Sequence, residues 1–173
     1  ISWHAAMGLQ GREQPLASRP QVCRSVAVRC VANQQGVIDL IDTALSNGRC
    51  VCWIRNTVAD ALEAFNLLLP RIDADRVTLF HARFALADRL AIEERILERF
   101  GENSHAAQRC GQLVIATQVV EQSLDADWDM VVSDLAPIDR LIQRAGRLQR
   151  HVRDASGNRL KVDGAADGRG EPC

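Results

Sequence analysis

Five arginines and no acid lie between Asp139 and Asp154: Arg140, Arg144, Arg147, Arg150 and Arg153. Arg140, Arg144, Arg147 and His151 are spaced to share one face of a helix, with Leu141, Ile142, Ala145 and Leu148 on the other. The plain reading is a solvated arginine face over an apolar core face. Two details point to chemistry instead. Gly146 sits inside the pattern, where it costs about 1 kcal/mol against alanine and leaves the backbone open to close approach. Arg147 and Arg150, three residues apart on a helix, can bring two guanidiniums to one anion. The planar fork of arginine suits phosphate oxygens, and a transferring phosphoryl group needs its charge stabilised in this way.

A second polar group follows the apolar run Gln112–Ala116. It begins Thr117-Gln118-Val119-Val120-Glu121 and continues Gln122-Ser123-Leu124-Asp125. As an ordinary strand-to-helix loop, Thr117 is an N-cap and Glu121 and Gln122 satisfy the first turn. A hydroxyl and free N–H groups at a helix start also suit a nucleic-acid phosphate. Asn56-Thr57 and His81-Ala82-Arg83 are two further clusters at predicted strand ends. Each has a structural alternative: Thr57 caps its helix, and His81 is a loop histidine.

Composition removes several classes. The chain has 21 basic and 22 acidic residues, a net charge of −1, and so no bulk electrostatic footprint for nucleic acid. Lys161 is its one lysine and follows Leu160. A phosphate-cradling G-x-x-x-x-G-K-[ST] loop needs lysine after glycine, so the sequence holds no such loop. It also has no acidic metal-binding run of the D-E-x-H sort, and no histidine is followed by aspartate. No apolar run approaches a membrane span, and the first residues lack the plan of a signal peptide. The six cysteines form no C-x-x-C pair and read as buried thiols of a reduced, cytosolic protein.

The elements that must hold these groups alternate. Val22–Val31, Arg49–Ile54, Arg76–Phe80, Gln112–Ala116 and Met130–Ser133 read as strands. Gly36–Ser46, a segment capped by Thr57 and stopped by Pro70, Leu86–Phe100, and Pro137 to about Leu148 read as helices. The strands are short and apolar without alternation, which predicts an α/β fold with a mainly parallel sheet covered on both faces. Function in such sheets gathers at the carboxyl ends of the strands. At 173 residues the chain suits one domain. We divide it into a partly ordered N-terminal segment, 1–21, a domain over 22–151, and a C-terminal loop or tail, 152–173, which could also be an element lacking its partner.

Three stretches together carry a resemblance: Ala116-Thr117-Gln118-Val119-Val120-Glu121-Gln122-Ser123-Leu124-Asp125, then Ser133-Asp134-Leu135-Ala136-Pro137-Ile138-Asp139, then Gln143-Arg144-Ala145-Gly146-Arg147-Leu148-Gln149-Arg150-His151. They resemble motifs V and VI of superfamily 2 helicases. More narrowly, they resemble the second RecA-like domain of the CRISPR-associated helicase–nuclease of type I systems. Arg55-Asn56-Thr57-Val58 resembles motif IV, and His81-Ala82-Arg83-Phe84 with Asp88-Arg89 the next family motif. The likeness spans about residues 22–153.

The resemblance implies a RecA-like three-layer αβα sandwich and a role for each position. Arg147 and Arg150 are arginine fingers reaching ATP on a preceding domain, and Gln143 contacts the γ-phosphate or the attacking water. Asp125 faces the nucleotide ribose or the motif VI arginines. Thr117 and Gln118 hold a phosphate of the tracking strand, with Asn56, Thr57, His81 and Arg83 along the same path. Glu121, Gln122 and Ser123 relay between ATP and DNA. ATP and Mg2+ are bound mainly by a first RecA-like domain, and none is expected on this stretch alone. An intact chain would be a hydrolase acting on ATP. This stretch, without Walker A, Walker B or the HD nuclease domain, reads as an inactive fragment or excised domain. Partners implied are single-stranded DNA, those two missing domains and a CRISPR RNA-guided surveillance complex in a prokaryotic cytoplasm, with no membrane. Two alternatives stay open: a superfamily 2 RNA helicase domain of DEAH or viral type, and a non-catalytic RecA-like binding module.

Overall fold

The computed structural model describes residues 25–121, 124–161 and 165–170. Helix α1 (Gln34–Ser46) begins at Asn33, whose side chain accepts from Gly36 N–H at 2.8 Å. Strand β1 (Val51–Ile54) is buried throughout. Thr57 caps α2 (Val58–Leu68) by accepting from Asp60 N–H. Strand β2 (Val77–Phe80), helix α3 (Leu86–Phe100) and a four-residue α4 (Ala106–Arg109) precede β3 (Leu113–Ala116). A 3-10 turn, Gln118–Glu121, follows β3, and β4 (Met130–Ser133) and α5 (Ile138–Ala145) complete the elements.

The strands form one parallel sheet in the order β2-β3-β1-β4. In register, Ile54 pairs with Ala116 and Ser133, and Phe80 pairs with Ala116. The four carboxyl ends are therefore level, and Arg55, His81, Thr117 and Asp134 emerge along one edge.

Alternate residues of each strand feed two cores. Val51, Trp53, Leu113 and Ile115 pack with Ile41 and Leu45 of α1 and Ala61, Ala64 and Leu68 of α2. Cys52, Ile54, Val114 and Ala116 pack with Ile96 and Phe100 of α3 and with Val120, Leu124 and Trp128. Two covered faces explain why the strands read as continuous apolar runs. The result is the expected helix–sheet–helix sandwich.

Three expectations need correction. No strand forms over residues 25–31, and Val28 is 86% exposed; Val22, Cys23 and Arg24 lie outside the described residues, as do residues 1–21. Valine and cysteine favour a strand only where a pleated surface meets a neighbour, and none is offered among the described residues. Helix α5 stops at Ala145, because Gly146 caps it and Gln149 has φ 43°. Of the cysteines, Cys50 and Cys52 are buried as expected, whereas Cys30 and Cys110 are exposed; Cys23 and Cys173 are not described.

The described C-terminal residues carry no helix or strand, yet they are anchored. The Arg153 side chain is fully buried and donates to the carbonyls of Gly101, Ser104 and Gly157. Among the described residues no helix is long and apolar enough to cross a membrane. No group of three or more metal-ligating side chains occurs among them either.

Candidate functional site

The carboxyl edge of the sheet is organised around one buried carboxylate. Glu121 ends the 3-10 turn after β3, and its side chain is 0% exposed. Arg144 Nε donates to its Oε1 at 2.8 Å and Arg140 Nη1 to its Oε2 at 2.7 Å. Arg144, itself 4% exposed, also donates to Ser133 Oγ, Asp134 O and Asn56 Oδ1. One guanidinium thus joins α5 to the ends of β1, β3 and β4.

This reverses the expected orientation of the helix. Arg144 lies against the protein and Arg140 is partly covered, while Ile138 and Ile142 are 71% and 65% exposed; Leu148, beyond the helix, is buried. A buried carboxylate needs paired charge, and carbonyls at the end of β4 need donors; the arginines of α5 supply both.

Arg147 and Arg150 lie beyond the helix and lose the i, i+3 geometry expected of them. Arg147 Nη2 donates to Glu121 O at 2.8 Å and Nη1 to Leu124 O. Burial first, and then the Arg150 charge, pull its pKa below the ordinary value, with Asp125 opposing. Arg150 Nε donates to Asp125 Oδ1 at 2.6 Å, and both side chains are about half exposed (46% and 52%). His151 Nε2 lies 3.3 Å from the same oxygen. Gln143 is exposed.

On the strand side the expected residues divide. Asn56 is fully engaged: its Nδ2 donates to Leu135 O at 2.7 Å and its Oδ1 accepts from Arg144. Thr57 Oγ1 donates to Asp60 Oδ2 at 2.5 Å while capping α2. Thr117 is 1% exposed, and its Oγ1 has no hydrogen-bond partner among the described residues. Gln118 beside it is exposed, and Gln122 and Ser123 lie outside the described residues. His81 stacks on Phe84 with centroids 4.2 Å apart, and its Nδ1 accepts from Arg83 N–H at 3.3 Å. Burial is the main cause that lowers its pKa, with the nearby Arg83 charge acting in the same direction. Arg83 is exposed.

A second charged cluster went unread in the sequence. Asp127 is fully buried and accepts from Arg153 Nε at 2.7 Å and Arg169 Nη1 at 3.0 Å. Asp129 accepts from Arg109 Nη2 at 3.0 Å, Arg169 Nη1 at 2.9 Å and Cys50 N–H at 2.9 Å. The available signal was Asp125-Ala126-Asp127-Trp128-Asp129. Of these alternating acids, the two nearest the apolar strand, Asp127 and Asp129, are buried and paired with cations, while Asp125 stays exposed.

Residues 47–153, more than half of the chain, match the family described as CRISPR-associated nuclease/helicase Cas3, C-terminal. The chain belongs to that family. It is 36% identical over 162 residues to the CRISPR-associated endonuclease/helicase Cas3 of Escherichia coli (strain K12), covering 88% of this chain and 18% of that protein. It resembles the crystal structure of T. fusca Cas3-ATP with TM-score 0.65 and 34% identity, over 81% of this chain and 17% of the other. A chain in a CRISPR RNA-guided surveillance complex, pre-nicking, is similar with TM-score 0.61 and 36% identity, over 75% of this chain and 15% of that one. The chain therefore spans less than a fifth of the length of these relatives.

Proposed function

We propose that this chain is the second motor domain of an ATP-dependent helicase–nuclease that translocates on single-stranded DNA in CRISPR interference. The observation that carries this reading is the sharing of Glu121. Its carboxylate is bound by Arg140 and Arg144 and its carbonyl by Arg147, so the loop after β3 and the arginine segment move as one unit. A coupled motor requires such a link between a nucleotide side and a strand side.

ATP with Mg2+, bound mainly by a first RecA-like domain, supplies the phosphoryl group whose hydrolysis drives the motor. The residues here fit a phosphate. Arg150 is held by one exposed ion pair with Asp125, worth about 0–1 kcal/mol, which a phosphate can replace at little cost. Gln143, exposed on α5, contacts the γ-phosphate or the attacking water. Arg147 has a double part: it ties Glu121 and Leu124, and it becomes a second finger only when those carbonyls are released. Asp125 steers Arg150. On the strand side, exposed Gln118 and Arg83 meet the DNA first, and the hydroxyl of Thr117, without a hydrogen-bond partner among the described residues, is a further donor to a phosphate. Asn56, Thr57 and His81 shape that path through the bonds they make within the protein. Gln122 and Ser123 belong to the same relay.

The partners follow from the same reading: single-stranded DNA, the first RecA-like domain, an HD nuclease domain and an RNA-guided surveillance complex in a prokaryotic cytoplasm. The structure named for such a complex supports the last. The test is DNA-stimulated ATP hydrolysis by the full-length chain. Arg150→Ala should abolish turnover and leave the fold intact. Arg147→Ala should abolish turnover and loosen the loop as well. Normal turnover in both variants would sink the assignment.

A further inference from the structure

The segment bearing Arg150 is held from behind by the chain leading into β4. Trp128 N–H donates to Arg147 O at 3.2 Å, Gln149 N–H donates to Trp128 O at 2.8 Å, and Trp128 and Leu148 form a parallel bridge. Between the two arginines Gln149 adopts φ 43°, the one left-handed non-glycine among the described residues. The peptide that follows turns so that Arg150 N–H reaches Asp127 Oδ1 at 2.8 Å.

Asp127 cannot swing. It is fully buried, and its own N–H donates to Phe100 O at 2.9 Å. Its Oδ2 accepts from Arg153 Nε at 2.7 Å and Arg169 Nη1 at 3.0 Å, and Arg109 Nη2 lies 3.7 Å away. Arg169 Nη1 also reaches Oδ1 at 3.2 Å, so four hydrogen bonds fill the roughly four acceptor sites of this carboxylate. The root of the exposed Arg150 side chain is thereby fixed to the core.

We propose that Asp127 is the positioning residue for Arg150, an inference that rests on Arg150 acting on phosphate. Asparagine at 127 has one oxygen where aspartate has two. Its NH2 must then face either Arg150 N–H or Arg153 Nε, donor against donor. Whichever way it turns, the link between core and finger is broken or strained.

The experiment is DNA-stimulated ATP hydrolysis and thermal melting of the full-length chain. Asp127→Asn should lower kcat by about tenfold or more while KM for ATP changes by less than about threefold, as expected when a transition-state contact is misplaced. Arg169→Gln removes a cation that reaches both oxygens of the same carboxylate and the His151 carbonyl, but leaves the Arg150 N–H bonded to Oδ1. It should lower the melting temperature and keep kcat. The double variant Asp127→Asn/Arg169→Gln removes one charge of each sign. It should recover the melting temperature and keep kcat low, and it carries the test if the single variant does not fold. A kcat for Asp127→Asn within about twofold of the parent overturns the proposal. So does a kcat that returns with stability in the double variant. Arg150→Ala separates the two levels: full turnover there refutes the role of Arg150 itself, whereas lost turnover there with normal Asp127→Asn refutes only the positioning.

Discussion

Removing the Glu121 carboxylate should cost far more than removing an average surface charge, and the structure says how the cost divides. The Glu121 side chain is 0% exposed and Arg144 is 4% exposed, so their pairing is poorly screened. Arg140 is 40% exposed and can return to water, so its share is about 0–1 kcal/mol. Glu121→Ala strands the Arg144 guanidinium without a counter-charge, which costs about 3–5 kcal/mol for a buried pair broken on one side. For a chain of this size that is a fall of about 10 °C in melting temperature. Glu121→Gln keeps an acceptor for Arg144 and loses only the charge assistance, about 1–2 kcal/mol.

The double variant Glu121→Leu/Arg144→Met removes both charges. Such replacements are often neutral, but here Ser133, Asp134 and Asn56 also lose a donor, so about 1–2 kcal/mol remains. A double-mutant cycle should therefore give a coupling of about 2 kcal/mol or more. Urea unfolding followed by the buried Trp53 and Trp128 reads it directly. A coupling below about 0.5 kcal/mol, the ordinary limit for independent sites, would refute the idea that one buried pair holds loop and helix together.

Two further outcomes follow from local geometry and charge. At Gln149, φ 43° suits glycine and offends a β-branched side chain. Gln149→Gly should hold stability within about 1 kcal/mol, whereas Gln149→Val should lose about 1–2 kcal/mol more in urea unfolding. Equal stability of the two would contradict the left-handed turn. At Asp129, burial pushes the carboxyl up, but Arg109, the Cys50 N–H and Arg169 together outweigh it and hold the pKa below 3.8. A carboxylate depressed on folding adds stability above its unfolded pKa and loses it as pH falls through the folded one. Stability should thus decline below about pH 4, and Asp129→Asn should flatten that decline. An acid limb of unchanged slope in the variant would count against the cluster.

From α1 onward the order of the main elements was legible, α4 apart, because each buried parallel strand is an apolar run between turn residues and α3 is bounded by its own pattern; the strand expected before α1 was not. The start of α2 was legible in Thr57, since capping is chemistry between neighbours. The orientation of α5 was not. Periodicity places arginines opposite isoleucines, but it does not say which face meets the protein. The deciding group is Glu121, 23 residues before Arg144, and its burial is a tertiary fact. Asp127 and Asp129 likewise find Arg109, Arg153 and Arg169 through contacts that span as many as 42 residues.

A net charge of −1 bears on this more than it first suggested. In a balanced chain a local run of arginines can be matched to acids elsewhere and folded inward, so it need not make a basic surface. Of the residues marked for phosphate, Gln143 and Arg150 stay exposed, and Arg147 is spent on two carbonyls. The two arginines are therefore unequal. On the proposed reading, Arg150 answers a phosphate by giving up one exposed ion pair, while Arg147 must first let go of the loop after β3. Under that proposal the asymmetry would couple the state of the loop to the number of arginines facing the nucleotide, which two equal fingers on one rigid helix would not do.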